Sequence, residues 1–321
     1  MTMPFEATDD SELDERLRDP DPSQRQLALI ELEDTADIEH VPSLLRALHD
    51  EDAVVRRLAI TLLEELGDAR ALPGIIERLN DSDEEVRDAA ITALRDIRAE
   101  GDDAALPLIA AMQHSEAEVR RGVIVGLREL KDERAVQPLI TALRDESAAV
   151  RREAVITLAY LRRPESVDPL RACLADPEGD VRLVAVGALN VWNSPALLPD
   201  FSKALEDSDW RVRVEAAIVL GRSTLSAAIP GLITALGDSY WQVQKEAIAA
   251  LGRLNAHGAV PALIGFLKSE MSELRRSAAY ALGDLRAQEA RAALSNLTGD
   301  PDIEVRKAAS RTLEAIDRAG A

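Results

Sequence analysis

The chain has 321 residues, 46% hydrophobic and 30% charged, enough to bury a core and too apolar for a disordered tail. Its net charge of −20 opposes a dedicated nucleic-acid binder, whose phosphate partner demands a basic footprint. One cysteine excludes an intramolecular disulfide and any multi-cysteine zinc or iron–sulfur site.

Residues 1–10 are expected to be a flexible N-terminus, with neither the basic nor the apolar segment of a secretory signal. No apolar run reaches the roughly 18 residues of a membrane span. The expected location is therefore the cytoplasm, without a membrane partner.

From residue 11 to residue 321 the chain repeats itself as a single expected domain. An arginine recurs as Arg25, Arg56, Arg87, Arg120, Arg151, Arg182 and Arg213, then as Gln244, Arg275 and Arg306. Eight of the nine spacings are 31 residues and one is 33, the longer one holding a polar insert around Gly101, Asp102 and Asp103. Six residues before each stands Asp19, Asp50, Asp81, His114, Asp145, Asp176, Asp207, Asp238, Ser269 or Asp300. Ten units of about 31 residues result, an arrangement that can bury its apolar faces only by stacking.

The second unit, Val41 to Ala71, shows the elements in order. Pro42 suits the first turn of a helix, where its missing N–H costs nothing. That helix is short and ends near Ala47–Leu48. A polar turn, His49-Asp50-Glu51-Asp52, then supplies carboxylates to cap a second helix from about Ala53 to Leu66, broken by Gly67-Asp68. With the aspartate as position 0, Val, Ala, Leu and Leu or Ile recur at positions 5, 9, 13 and 16, here Val55, Ala59, Leu63 and Leu66. These fall on one helical stripe facing the core. Positions 3, 4, 7, 8, 11 and 15 fall on the opposite side. Trp192 stands at position 16 of its unit and is read as packing, and Cys173 takes a small-residue place held elsewhere by Ala111 and Ala142.

The Asp–Arg pairs are read as structural, because arginine can bridge a turn carboxylate and backbone carbonyls between stacked units. Gln244 and Ser269 lapse in successive units, which suggests that each arginine meets the aspartate of the following unit. His114 after Arg87 is the counter-case.

The pattern Pro-Leu-Ile-x-x-Leu-x-Asp-x-x-x-x-Val-Arg-x-x-Ala-x-x-x-Leu resembles the HEAT repeat, and is most similar to the short type of phycobilin lyase subunits. The resemblance covers roughly residues 11 to 318. It implies an all-α fold, a right-handed α-solenoid of ten two-helix repeats, with first helices outside and second helices lining a concave surface. Deoxyhypusine hydroxylase has similar repeats, with iron held by His-Glu pairs that would fall at positions 7 and 8. Position 8 is glutamate at Glu153, Glu215 and Glu246, but no unit has histidine at position 7, and His40, His49, His114 and His257 lie in or beside turns. No metal site, cofactor or catalytic residue is therefore assigned.

Charge is uneven. Residues 1–160 hold 19 Lys and Arg against 37 Asp and Glu, a net of −18, whereas residues 161–321 hold 19 against 21, a net of −2. The candidate partner site gathers Trp210, Arg211, Arg222, Tyr240, Trp241, Lys245, Arg253, Arg276 and Tyr280 from repeats seven to nine. Tyr160 is a more distant member. Trp, Tyr and Arg are the composition of binding hot spots, although aromatics at position 3 can also pack on the neighbouring turn. The expected function is a non-enzymatic, monomeric scaffold that binds a protein or peptide, acidic in character, on its concave face. The alternatives are an accessory subunit or a lyase or maturation enzyme acting on a cofactor-bearing protein, and, opposed by the acidity, nucleic-acid binding by the C-terminal repeats.

Overall fold

The computed structural model describes residues 10–96, 103–223 and 225–320, and every regular element among them is helical. The expected flexible segment, Asp10 apart, and the insert residues Gly101 and Asp102 lie outside the described residues. The chain divides into two compact units, Met1–Pro169 and Leu170–Ala321.

The first unit pairs α1 (Asp10–Arg16) with α2 (Pro22–Leu32), α3 (Val41–Ala47) with α4 (Ala53–Leu66), and α5 (Leu72–Arg78) with α6 (Glu84–Arg95). It continues with α7 (Ala105–Ala111) and α8 (Ala117–Leu130), then α9 (Val136–Ala142) and α10 (Ala148–Leu161). The division falls within α11 (Val167–Ala172). The second unit holds α12 (Gly179–Asn190), α13 (Leu198–Ala204) with α14 (Trp210–Arg222), and α15 (Ile229–Ala235) with α16 (Trp241–Arg253). It closes with α17 (Val260–Phe266) and α18 (Ser272–Asp284), then α19 (Arg291–Asn296) and α20 (Ile303–Gly320). Consecutive packed helix pairs of this kind make an α-solenoid fold.

Local chemistry sets the boundaries. The Asp52 side chain accepts from the Val55 N–H at 3.0 Å and starts α4, and Gly67, at φ 64, ends it in the left-handed conformation that glycine adopts without penalty. One feature was not expected from the periodicity: short 3-10 turns lead into eight of the described first helices, and two more close α11 and α19. Asp68 caps one of them, accepting from Arg70 N–H at 2.8 Å.

Within each unit the second helices are one another's main neighbours, in the orders α2–α4–α6–α8–α10 and α12–α14–α16–α18–α20. The first helices rest mostly on the second helix of their own repeat. Val212, Ala216 and Leu220 of α14, and Val243, Ala247 and Leu251 of α16, are fully or almost fully buried. Each large aliphatic side chain buried this way stabilises by about 1.5–3 kcal/mol.

Two details differ from the sequence reading. The buried face is wider than one stripe, since Ile60 and Leu62 are buried along with Leu63, because each second helix is flanked by its own first helix and by neighbouring second helices. Position 16 varies between repeats: Leu66 is only half-buried, whereas Leu285 and Ile316 are buried. Trp192, read as packing at core position 16, stands beyond the end of α12 and is half-buried. Cys173 is buried in its small-residue place.

Candidate functional site

The recurring arginine is the first thing the geometry explains. Arg25 donates from Nε and Nη2 to both carboxylate oxygens of Asp50 at 2.8 and 2.7 Å. Its Nη1 donates to the carbonyls of Asp19 and Pro20 in its own turn. The same clamp joins Arg56 to Asp81, Arg120 to Asp145, Arg182 to Asp207, Arg213 to Asp238 and Arg275 to Asp300. Each arginine therefore reads its own turn with one nitrogen and the next repeat's aspartate with two, the relation suggested by the paired lapses. Each aspartate in turn accepts a backbone N–H two residues on, as Asp238 does from Tyr240 at 2.8 Å. Burial would raise the Asp238 carboxyl, but the bonds from Arg213 and Tyr240 N–H hold it below the usual aspartate value.

On this ladder the structure builds part of the candidate site. Tyr240 is the residue just before α16, and Trp210 is the first residue of α14. Their rings stack with centroids 5.6 Å apart and planes 10° from parallel, and the Arg213 guanidinium lies 5.5 Å from the Tyr240 ring centroid. A ladder arginine thus also holds the aromatic pair, a role the sequence reading missed because the residues involved are dispersed along the chain. Trp210 and Trp241 are half-buried, and Tyr240 stays 45% exposed, so the patch packs on a neighbouring turn and still presents ring surface.

The cations divide into engaged and open ones. Arg211 is clamped by Asp209 at 2.6 Å and by Asp180 of the preceding repeat at 2.7 Å. The hydrogen bond that Arg211 donates to Asp209 raises the pKa of that guanidinium, whose charge is balanced. Lys245 approaches Glu246 at 3.5 Å. Arg253 donates from Nε to the Gly221 carbonyl at 3.3 Å and, like Arg222, is exposed and forms no ion pair among the described residues. Arg222 and Arg253 sit at the far ends of α14 and α16 from the Trp210–Tyr240 stack, roughly 18 Å along the helix at 1.5 Å per residue. Tyr280, 40% exposed, lies between these ends on α18. The nine predicted residues therefore form an aromatic edge beside the turns and a cationic edge at the helix ends, with Lys245 and Arg276 between.

Two carboxylates complete the face. Burial raises Glu215 above the usual glutamate range, with Arg222 acting against it, and burial raises Asp284 in the same way, opposed by Arg253. Their local signal was weak, because what desolvates Glu215 is the approach of the neighbouring repeat: a Cβ placed on Gly187 would lie 3.2 Å from its Oε1. Tyr160 belongs elsewhere, in the first unit, with Lys131 Nζ 5.5 Å from its ring centroid. No group of three or more His, Cys, Asp or Glu placed to hold a metal ion occurs among the described residues. No described helix is long and apolar enough to cross a membrane.

A family model described as HEAT repeats matches residues 11–95, 105–190, 174–252 and 229–314. Among solved structures, an engineered protein is similar over 97% of this chain and 99% of its own, at 21% identity and a TM-score of 0.53. The Escherichia coli protein YibA is similar over 84% of this chain and 99% of its own, at 23% identity and a TM-score of 0.58. Kap95, solved in complex with Nup1, is similar over 98% of this chain but 52% of its own, at 14% identity and a TM-score of 0.69. These likenesses speak to the fold. A search of curated proteins finds no match to this chain.

Proposed function

Since the chain belongs to the HEAT-repeat family, we propose that it is a non-enzymatic scaffold holding a protein partner on the second-helix face of repeats seven to nine. The observation that carries this reading is the pairing of a partly open aromatic stack, Trp210 on Tyr240, with the exposed Arg222 and Arg253, which form no ion pair among the described residues, on the same layer of helices. Rigid aromatics and arginines supply most of the energy in protein interfaces. The solved complex of Kap95 with Nup1 is a case of a similar fold engaging a protein.

The partner's expected chemistry follows from the two edges. Arg222 and Arg253 favour a carboxylate-bearing segment, and Tyr240, Trp241 and Tyr280 favour apolar or aromatic side chains. Arg211 contributes less than the sequence implied, because Asp209 and Asp180 already hold it. We place the protein in the cytoplasm as a monomer.

The test uses the full chain as bait, with captured proteins identified by mass spectrometry and the binding of the main one then measured. Trp241→Ala is expected to weaken binding by about 2 kcal/mol, roughly 30-fold, with an unchanged helical spectrum. Unchanged capture by both Trp241→Ala and Tyr280→Ala would remove this face as the site.

A further inference from the structure

One joint between successive repeats has its arginine but not its carboxylate. Arg87 occupies the ladder place of the third repeat, and its Nη1 donates to the carbonyls of Asp81 and Ser82 at 2.8 and 3.1 Å. Arg56 makes the same two bonds to Asp50 and Glu51. At six joints the Nε and Nη2 edge of the arginine then closes on an aspartate 25 residues ahead. For Arg87 the residue in that register is His114, and Arg87 forms no ion pair among the described residues.

His114 replaces only half of what the aspartate does. Its Nδ1 accepts from the Glu116 N–H at 3.1 Å, just as Asp81 accepts from Asp83 N–H at 3.0 Å. With Nδ1 committed as acceptor, the neutral ring carries its proton on Nε2 and has no second acceptor for a guanidinium. Protonated, it would lose the turn bond and repel Arg87. The nearby Asp81 carboxylate is already taken by Arg56. The helices α6 and α8 nonetheless pack as neighbours, as α4 and α6 do.

We infer that the joint between the third and fourth repeats is a binding site for one oxyanion, a carboxylate or phosphate group, gripped by the Nε and Nη2 edge of Arg87. The six sister joints of the same molecule are the template, since each holds a carboxylate by that edge with two parallel hydrogen bonds. The other joint to lapse, Gln244 with Ser269, has lost the cation as well and offers no such site. A ligand held chiefly by one arginine near the surface binds in the millimolar range, so free anions serve as probes.

The full chain is melted at pH 8 with chloride replaced by acetate or by inorganic phosphate at constant ionic strength. The parent, His114→Asp and Arg87→Gln are compared. The melting temperature of the parent is expected to rise saturably by about 2 °C with one anion or both, and the more effective anion names the preferred group. His114→Asp supplies the carboxylate within the chain, so it should melt above the parent without added anion and lose the saturable response. Arg87→Gln should lose the response too. General salting-out acts on all three alike and does not saturate. A parent without a saturable rise, or either variant responding as the parent does, would overturn the proposal. So would a His114→Asp variant that melts no higher than the parent.

Discussion

Arg56 of the second repeat closes on Asp81 of the third through two hydrogen bonds, Nε to Oδ2 at 2.8 Å and Nη2 to Oδ1 at 2.6 Å, with both side chains more than nine-tenths buried. Removing one partner of such a pair leaves the other charge desolvated. Arg56→Gln is expected to cost about 3 kcal/mol, the lower end of the range for buried pairs because the turn edge is close to solvent. Denaturant melts of parent and variant measure it.

The same pairs set the response to acid. Burial would raise Asp81, Asp145, Asp207 and Asp238, but their arginine bonds outweigh it and hold them below the usual aspartate value. A carboxyl whose folded value is depressed gives stability that is present above its unfolded value and lost as pH falls through the folded one. Glu215 and Asp284 run the other way, since their raised folded values mean that their contribution declines as pH rises through them. Denaturant midpoints should therefore fall steeply below about pH 4. Glu215→Gln should stabilise at neutral pH and lose that advantage in mild acid.

At the joint of repeats eight and nine, Gln244 Nε2 keeps the turn bond to the Asp238 carbonyl at 2.8 Å, and Ser269 Oγ accepts from Met271 N–H at 3.2 Å. The turns survive and the link between them is lost. Gln244→Arg with Ser269→Asp should stabilise by about 1–2 kcal/mol more than the two single changes summed. Strict additivity would show that the new pair does not form.

Close approach of second helices depends on glycine. A Cβ on Gly221 would lie 2.6 Å from Ala250 Cβ, and one on Gly252 would lie 2.9 Å from Ala281 Cα. Gly221→Ala and Gly252→Ala should each cost about 1–3 kcal/mol, since backbone on the far side must move. Thermal melts read this directly, and unchanged melting would mean that α14, α16 and α18 can separate freely.

Leu158, fully buried in α10, gives the packing test. Leu158→Ala should cost about 2–5 kcal/mol and loosen its own repeat before distant ones, because stability in a stack is a sum over neighbours. Hydrogen exchange resolved by segment checks this. An equal loss of protection in every repeat would contradict it.

The helices were legible because their signals are local. Asp52 as cap, Val55, Ala59 and Leu63 as stripe, and Gly67 as stop lie within one turn or two of the place they act on. The ladder was legible for another reason: a partner missing at Gln244 and one missing at Ser269 pointed to each other. The site was harder. Arg211 looks open in sequence, and the proximity of Asp209 was visible, but Asp180 reaches it only through stacking. The stack of Trp210 on Tyr240 likewise joins residues 30 apart whose contact depends on how far one turn overhangs the next. The 3-10 turns went unread because their cue, an aspartate such as Asp68 two residues before the N–H it binds, resembles an ordinary loop.

The ladder also makes the sequence editable in whole words. Because Arg25 finds its aspartate 25 residues ahead, and so does Arg56, excising the 31 residues from 50 to 80 would deliver Asp81 to Arg25 in register, with helix caps and core stripe intact. A cut that is not a whole number of units would misalign both. Growth and loss of the chain by unit duplication is therefore nearly neutral wherever Arg meets Asp. The two irregular joints, Arg87 with His114 and Gln244 with Ser269, are where units stop being interchangeable, and so where the molecule has an address along its length.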